Sequence, residues 1–194
     1  FIAFQSSAAD LVTGDGNGVS DVFVRDLEAG TTERISVDSN EGEISGASES
    51  PSLSKSGRFV AFESDVGGVT QVFVRDRKKG KTTLISRNKN GESGNGPSSA
   101  AEISGNGAYV AFRSESTNLV PADVGADSDV YKCTRKGKKM KLVSRRQGGT
   151  GPGNLASFDP TIDKKGKCIA FPSAATDLVS ADTNETTDVF LRKN

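Results

Sequence analysis

Three acidic segments of this chain share a spacing that could do chemistry. They run from Asp10 to Asp21, from Asn118 to Asp129 and from Asp177 to Asp188. The common frame is Asx-Leu-Val-x-x-Asp-x-[Asn/Gly]-x-x-[Ser/Thr]-Asp. A hard cation takes about six to eight oxygen ligands, and alternating carboxylates and amides in a tight loop supply several. On that reading Ca²⁺ is the expected ion. Its ligands would be Asp15, Asn17 and Asp21 in the first segment and Asp182, Asn184 and Asp188 in the third. In the second they would be Asp123 and Asp129, with Asp127 replacing the amide that Gly125 cannot supply. The same residues have a structural reading. Asp and Asn side chains bond their own backbone as Asx turns, and the Leu-Val pair staples the loop to whatever lies beneath. EF-hand spacing is absent, and no bidentate Glu follows. A fourth segment, Asp65 to Thr70, is shortened, with Gln71 in the last acidic slot.

Composition narrows the chemistry further. The 194 residues contain no His, which excludes Ser-His-Asp and Cys-His mechanisms and His-ligated zinc within this chain. Lys+Arg and Asp+Glu are both 25, a balance that argues against nucleic acid as a partner. No apolar run approaches the roughly 20 residues that span a bilayer, so membrane insertion is not expected. Carboxylate pairs of glycosidase type are conceivable, but every acidic cluster is a repeated loop, and a catalytic group need occur only once. Repetition therefore favours structure, and no catalytic or cofactor-binding residue is assigned.

The elements that would hold these loops are visible as an internal repeat. An apolar triplet recurs as Ile2-Ala3-Phe4, Val60-Ala61-Phe62, Val110-Ala111-Phe112 and Ile169-Ala170-Phe171, at intervals of roughly 50–60 residues. A second marker is Asp21-Val22-Phe23, Gln71-Val72-Phe73, Asp129-Val130-Tyr131 and Asp188-Val189-Phe190. Ile35-Ser36, Ile85-Ser86 and Val143-Ser144 form a third. Pro51 to Ser54, Ala101 to Ser104 and Pro160 to Asp163 form a fourth. Each marker reads as a short strand rich in β-branched and aromatic residues, bounded by turn residues. Gly57, Gly107 and Gly166 close one set of hairpins, and Gly30, Gly80 and Gly137 another. The prediction is an all-β chain of four-stranded antiparallel units, a to d, covering 1–48, 49–98, 99–157 and 158–194. The first unit would lack strand a and the fourth strand d. The recurrent aromatics Phe4, Phe23, Phe62, Phe73, Phe112, Tyr131, Phe171 and Phe190 are expected inside the blades.

Four-stranded units of this length define a β-propeller. The stretch Pro51-Ser52-Leu53-Ser54-Lys55-Ser56-Gly57-Arg58-Phe59-Val60-Ala61-Phe62-Glu63-Ser64-Asp65, with Gln71 to Asp76 behind it, resembles the TolB-like propeller repeat, a relative of WD repeats. The resemblance extends over the whole chain in four copies, although the family's Pro-Asp before the turn glycine is absent from all of them. It implies more than four blades, hence a segment of a larger ring, with a small four-bladed ring as the alternative. It also implies a periplasmic or extracellular bacterial setting.

In such a propeller the b–c and d–a loops share one face, and the short a–b and c–d turns share the other. The acidic segments fall on the long-loop face. Lysines such as Lys79, Lys81, Lys136, Lys138, Lys165 and Lys167 fall on the short-turn face, giving a dipolar disc. Long loops on a rigid scaffold are where binding concentrates. The expected function is a non-catalytic platform for a protein or polysaccharide partner. Two alternatives stand beside it. One is a propeller region of a larger peptidase or polysaccharide lyase. The other is a structural repeat that associates with itself or with further blades. Cys133 and Cys168, expected near the short-turn face of adjacent blades, are either bridged or two apolar thiols.

Overall fold

The structure is a computed structural model, and it describes residues 1–123, 125, 127–180 and 182–193. Among the described residues there are fourteen strands and no helix. The first sheet holds β1 (Ile2–Ser6), β2 (Asp21–Asp26) and β3 (Thr31–Arg34). The second is β4 (Ser48–Leu53), β5 (Phe59–Val66), β6 (Val69–Asp76) and β7 (Lys81–Leu84). The third is β8 (Ser98–Ile103), β9 (Tyr109–Ser114), β10 (Asp129–Thr134) and β11 (Lys138–Leu142). The fourth is β12 (Thr161–Ile162), β13 (Cys168–Ser173) and β14 (Asp188–Lys193). Each sheet is an antiparallel meander in chain order, and each is one blade.

The blades are built alike because the same residue types recur in the same register. An aromatic pair lies across strands b and c of every blade: Phe4–Phe23, Phe62–Phe73, Phe112–Tyr131 and Phe171–Phe190, with ring centroids 5.7, 5.7, 5.7 and 6.0 Å apart. Such pairs add about 0.5–1.5 kcal/mol beyond the area they bury. A buried serine pair ties the start of strand a to the end of strand b: Ser48–Ser64, Ser98–Ser114 and Ser157–Ser173, at 2.9, 2.7 and 2.8 Å. Strand a is bulged in β4 and β8, where Ser50 and Ala100 both have φ 51°. The Ser50 N–H donates to Gln5 Oε1 of the preceding blade at 2.8 Å, and Glu63 holds the Ala100 and Ala101 N–H groups in the same way. A strained backbone is thus held by a side chain from the neighbouring blade.

Blades pack through alternate residues of strands b and c. Val22, Val24 and Ile35 of blade one meet Val60 and Phe62 of blade two. Ala61, Val72 and Val74 of blade two meet Ala101, Ile103 and Val110 of blade three. Ala111 and Val130 of blade three meet Ile169, Phe171 and Leu178 of blade four. The ring is open, with no packing between the first and last sheets among the described residues. Val72 and Val74 are 0% and 2% exposed, whereas their counterparts Val189 and Leu191 on blade four are 77% and 61% exposed. Covering such side chains contributes roughly 1.5–3 kcal/mol each, a gain the open end forgoes.

One contact recurs at every junction on the short-turn side. The a–b turn glycines Gly57, Gly107 and Gly166 have φ of 71°, 68° and 70°. A Cβ on them would lie 2.3, 2.4 and 2.4 Å from the rings of Phe1, Phe59 and Tyr109, each on the preceding blade. Only glycine permits that ring to lie against the turn. A cation covers each ring as well: Arg77 over Phe1 at 4.8 Å, Arg135 over Phe59 at 4.4 Å and Lys132 over Tyr109 at 4.5 Å. The same three cations donate to the carbonyls of Gly57, Gly107 and Gly166. Cys133 is buried and Cys168 half-buried, and both are free thiols rather than a bridge. Burial pushes the Cys133 thiol up to about 12. Replacing Gly107 with Ala both strains the turn and displaces the Phe59 ring, so Gly107→Ala should cost at least about 1 kcal/mol in urea unfolding.

Candidate functional site

The d–a and b–c loops gather on one side of the blades, and they are fastened to each other across blade boundaries. Asn95, between blades two and three, receives the Thr117 N–H on Oδ1 at 2.9 Å and gives its Nδ2 to Thr117 Oγ1 at 3.0 Å. The Asn95 N–H reaches Asn118 Oδ1 at 3.1 Å, and Asn118 Nδ2 reaches the Ser93 carbonyl at 3.0 Å. Asn154 repeats the arrangement one blade later. It bonds Thr176 through Oδ1 at 2.9 Å and Nδ2 at 3.0 Å, and its N–H reaches Asp177 Oδ1 at 3.0 Å. The Asx residue that opens the second and third acidic segments, Asn118 or Asp177, is therefore half of a latch between consecutive loops. The long-loop surface is held in shape by these bonds.

The acidic residues that follow are used differently in each blade. In blade one, carboxylate oxygens of Asp15, Asp21 and Glu43 lie within 4.8 Å of one another. The Arg34 guanidinium enters this group, bonding Glu43 directly, the Gly14 carbonyl at 2.9 Å and Asp15 at 3.6 Å. Burial, followed by the Asp21 charge, raises the Asp15 carboxyl above its ordinary range, with Arg34 opposing. Asn17 turns its Nδ2 to Asp21 at 3.0 Å and accepts the Val19 N–H on Oδ1 at 3.0 Å. In blade four Asn184 accepts the Thr186 N–H at 3.2 Å, again an Asx turn, while Asp182, Asn184 and Asp188 line an open cavity of about 520 Å³.

Blade three has Leu142 where blade one has Arg34, on the strand-d residue that faces the strand-c aromatic. No guanidinium therefore enters its acidic group from that position. Asp123 instead accepts the Tyr131 hydroxyl, and Gly125 N–H reaches Asp123 Oδ1 at 3.3 Å. Burial raises the Asp123 carboxyl. Asp129, only 2% exposed, is pushed up to about 7 by burial, with Asp123 and Asp127 adding and the Ser144 hydrogen bond opposing.

The last acidic residue of the frame has a structural task visible in three blades. Ser36 Oγ donates to Asp21 at 2.5 Å, Ser86 Oγ to Gln71 at 2.6 Å and Ser144 Oγ to Asp129 at 2.6 Å. Each serine oxygen accepts the N–H of the next strand-c residue, Val22, Val72 or Val130, at 3.1, 3.0 and 2.9 Å. Asp21 and Asp129 thus close strand c onto the chain leaving strand d. The third sequence marker, Ile-Ser or Val-Ser, already carried that partner serine. The spacing of the acidic frame does not mark Arg34, Glu43 or Tyr131 as site residues. The signal was there for Arg34, since it departs from Leu84 and Leu142 at the same place in the repeat.

The dipolar division of charge holds only in part. Glu41 does not stay on the long-loop face. It reaches the outer edge of blade two, where Arg75 Nη2 bonds both its carboxylate oxygens at 2.5 and 2.6 Å and Arg75 Nη1 takes the Asp38 carbonyl at 3.0 Å. Arg192, the same residue of blade four, takes the Arg145 carbonyl at 2.8 Å. A d–a loop is thereby clamped by the strand-c arginine of the blade that follows it.

Blades of this construction, bonded loop to loop on one side and ring to glycine on the other, define a TolB-like β-propeller fold. The solved structures that resemble the chain agree. Over 98% of the chain, the structure of putative TolB from Agrobacterium tumefaciens matches with a TM-score of 0.61 at 15% identity. TolB from Acinetobacter baumannii matches over 94% with a TM-score of 0.54 at 18% identity. The tricorn protease matches over 82% with a TM-score of 0.57 at 16% identity. The chain spans 56%, 37% and 14% of those three proteins respectively. No family model and no curated relative matches it.

Asp129 makes stability depend on pH with a definite sign. In the unfolded chain it titrates at its ordinary 3.8, in the folded one at about 7. Between those values the folded state holds a proton that the unfolded state has lost. Its contribution is complete below about pH 4 and is lost as pH rises through about 7. Asp129→Asn keeps an acceptor for Ser144 but cannot ionise. Relative to this variant, the wild type should lose stability between pH 4 and 7, with a slope approaching 1.4 kcal/mol per pH unit. Urea midpoints measured across that range test it.

Proposed function

We propose that this propeller is a non-catalytic platform that binds a protein partner through its long-loop face, in the periplasm or extracellular space of a bacterium. The observation that carries the reading is the repeated latch at Asn95 and Asn154. A surface already fixed in shape loses little conformational entropy on binding, so more of the contact energy appears as affinity. Asp21 and Asp129 of that face are engaged in the same pairing with a serine after strand d, which suits a structural role better than acid–base catalysis. The similarity to TolB structures from two bacteria supports the bacterial setting. The similarity to part of the tricorn protease keeps a second reading in view, in which the same scaffold serves a larger enzyme. The open faces around Ile2 on blade one and Val189 and Leu191 on blade four are read as seats for further blades of the same repeat.

Calcium belongs to this proposal as a stabiliser of the loops. Its support is the approach of Asp15, Asp21 and Glu43, and its competitor is the Arg34 guanidinium already among them. Millimolar Ca²⁺ should raise the melting temperature of the metal-stripped chain, by ~2.7 kcal/mol of stabilisation at a hundredfold excess over the dissociation constant. Asp15→Ala with Asp182→Ala should abolish that rise. No shift removes calcium from the proposal and leaves the loops as Asx turns.

Partner binding is tested by placing a photo-crosslinking residue at Glu115, exposed in the b–c loop of blade three, and, separately, at Lys55 in a short turn. Irradiation in living cells should give one discrete adduct from Glu115 that Asn95→Ala weakens. Equal adducts from both positions, or none from Glu115, would overturn the long-loop reading.

A further inference from the structure

The clefts between blades on the short-turn side differ in charge around the ring, and that difference points to a ligand. Strand d carries one residue opposite the strand-c position that follows the aromatic: Glu33 opposite Val24, Thr83 opposite Val74 and Lys141 opposite Lys132. The series runs from acidic through neutral to basic. In the first cleft Glu33 neutralises Arg77 at 2.8 Å. The second cleft, about 590 Å³, receives Lys79 and Lys81 from blade two and Arg135, Lys136 and Lys138 from blade three. Asp76 is the one carboxylate lining it among the described residues, and Arg58 already takes both its oxygens at 2.8 Å. The third cleft, about 360 Å³, is lined by Lys132, Lys139, Lys141, Lys165 and Lys167 with Tyr109, and by no carboxylate among the described residues.

We propose that the second and third clefts together bind an acidic polysaccharide, one charged sugar polymer crossing both. Twelve cationic side chains face two adjoining clefts whose single carboxylate, Asp76, is paired with one of them, Arg58, so the excess charge has no ion-pair partner within the described residues. Lys132 is 7% exposed, and burial with the nearby Lys141 pulls its ammonium below the ordinary lysine range, with Asp163 opposing. An anion in the cleft favours the charged ammonium.

The lining also decides between kinds of polyanion. Single-stranded nucleic acid is held by stacking its bases on open aromatic faces. Here Phe59 is covered by both Arg58 and Arg135 and Tyr109 by Lys132. An acidic protein segment needs a central apolar pocket for an anchoring side chain. Of the apolar residues lining the second cleft, Val74 and Phe59 are 2% and 6% exposed and Leu84 is half-buried beside them, so no open apolar pocket is offered. Separate lysine ammoniums, compact charges without the fixed fork of arginine, suit carboxylate or sulfate groups spaced along a flexible hydrophilic chain.

The test is a binding titration of the intact chain with polygalacturonate, which carries carboxylates, and heparin, which carries sulfates. Dextran serves as the neutral control, with poly-dT and polyglutamate as rival polyanions. At least one acidic polysaccharide should bind more tightly than poly-dT and polyglutamate of matched charge, dextran should not bind, and binding should weaken as salt rises. Which of the two polysaccharides binds better tells carboxylate from sulfate. Lys81→Glu with Lys138→Glu in one cleft, and Lys141→Glu with Lys167→Glu in the other, should each weaken binding at least tenfold. Lys55→Glu with Lys78→Glu, on the same side but outside both clefts, should change it less than twofold. All these lysines are exposed turn or strand-edge residues, and unchanged melting temperatures establish that the variants fold. Equal losses from the control pair would reduce the effect to diffuse attraction. Tighter binding of poly-dT or polyglutamate, or no binding of either polysaccharide at low salt, would overturn the proposal outright.

Discussion

The contact on which the short-turn side depends is a ring lying flat on a glycine of the next blade. Phe1, Phe59 and Tyr109 each occupy the space where a Cβ of Gly57, Gly107 or Gly166 would be. A cation then covers the ring and bonds the glycine carbonyl. Each member requires the other two: the ring fits only over glycine, and the cation is held by both ring and carbonyl. On the opposite side, Asn95 and Asn154 tie loops of successive blades. Between these two layers of fixed contacts the Val, Ile and Phe side chains of strands b and c are left to fill the interior without having to define the angle between sheets.

Much of this was legible in the sequence. The four aromatic pairs, the strand order, the incomplete first and last blades and the turn glycines follow from markers that recur in register. A repeat prints the same physical requirement several times, and coincidence cannot do that. What lay beyond reach were the contacts that join one repeat to another. The frame of the acidic segments gave the residue types at Asp21 and Asp129, but their partners Ser36 and Ser144 come from a different marker, brought near only by the return of strand d. Whether Cys133 and Cys168 meet likewise depends on blade geometry that neither cysteine encodes locally. The structure leaves both as thiols.

The informative residues of the candidate surfaces are those that break the repeat. Arg34 stands where blades two and three have leucine, and it salt-bridges two of the three carboxylates gathered there, Asp15 and Glu43. Glu33, Thr83 and Lys141 occupy one place in three strands and set three different cleft charges. Lys132 replaces a valine in the interior and must find the Tyr109 ring and the Gly166 carbonyl to be tolerated there. The scaffold is repetitive because packing demands it. Recognition is written in the substitutions that packing permits.

The ring-on-glycine contact also bears on how the chain comes into being. Phe59 and Gly107 belong to different copies of the repeat, so no single copy contains a complete contact. During synthesis from the N-terminus, a finished blade keeps one aromatic ring uncovered until the first hairpin of the next blade emerges to shelter it. The unit that is copied along the gene and the unit that folds cooperatively are therefore offset by about half a blade, and assembly proceeds by overlapping steps, each completed by its successor.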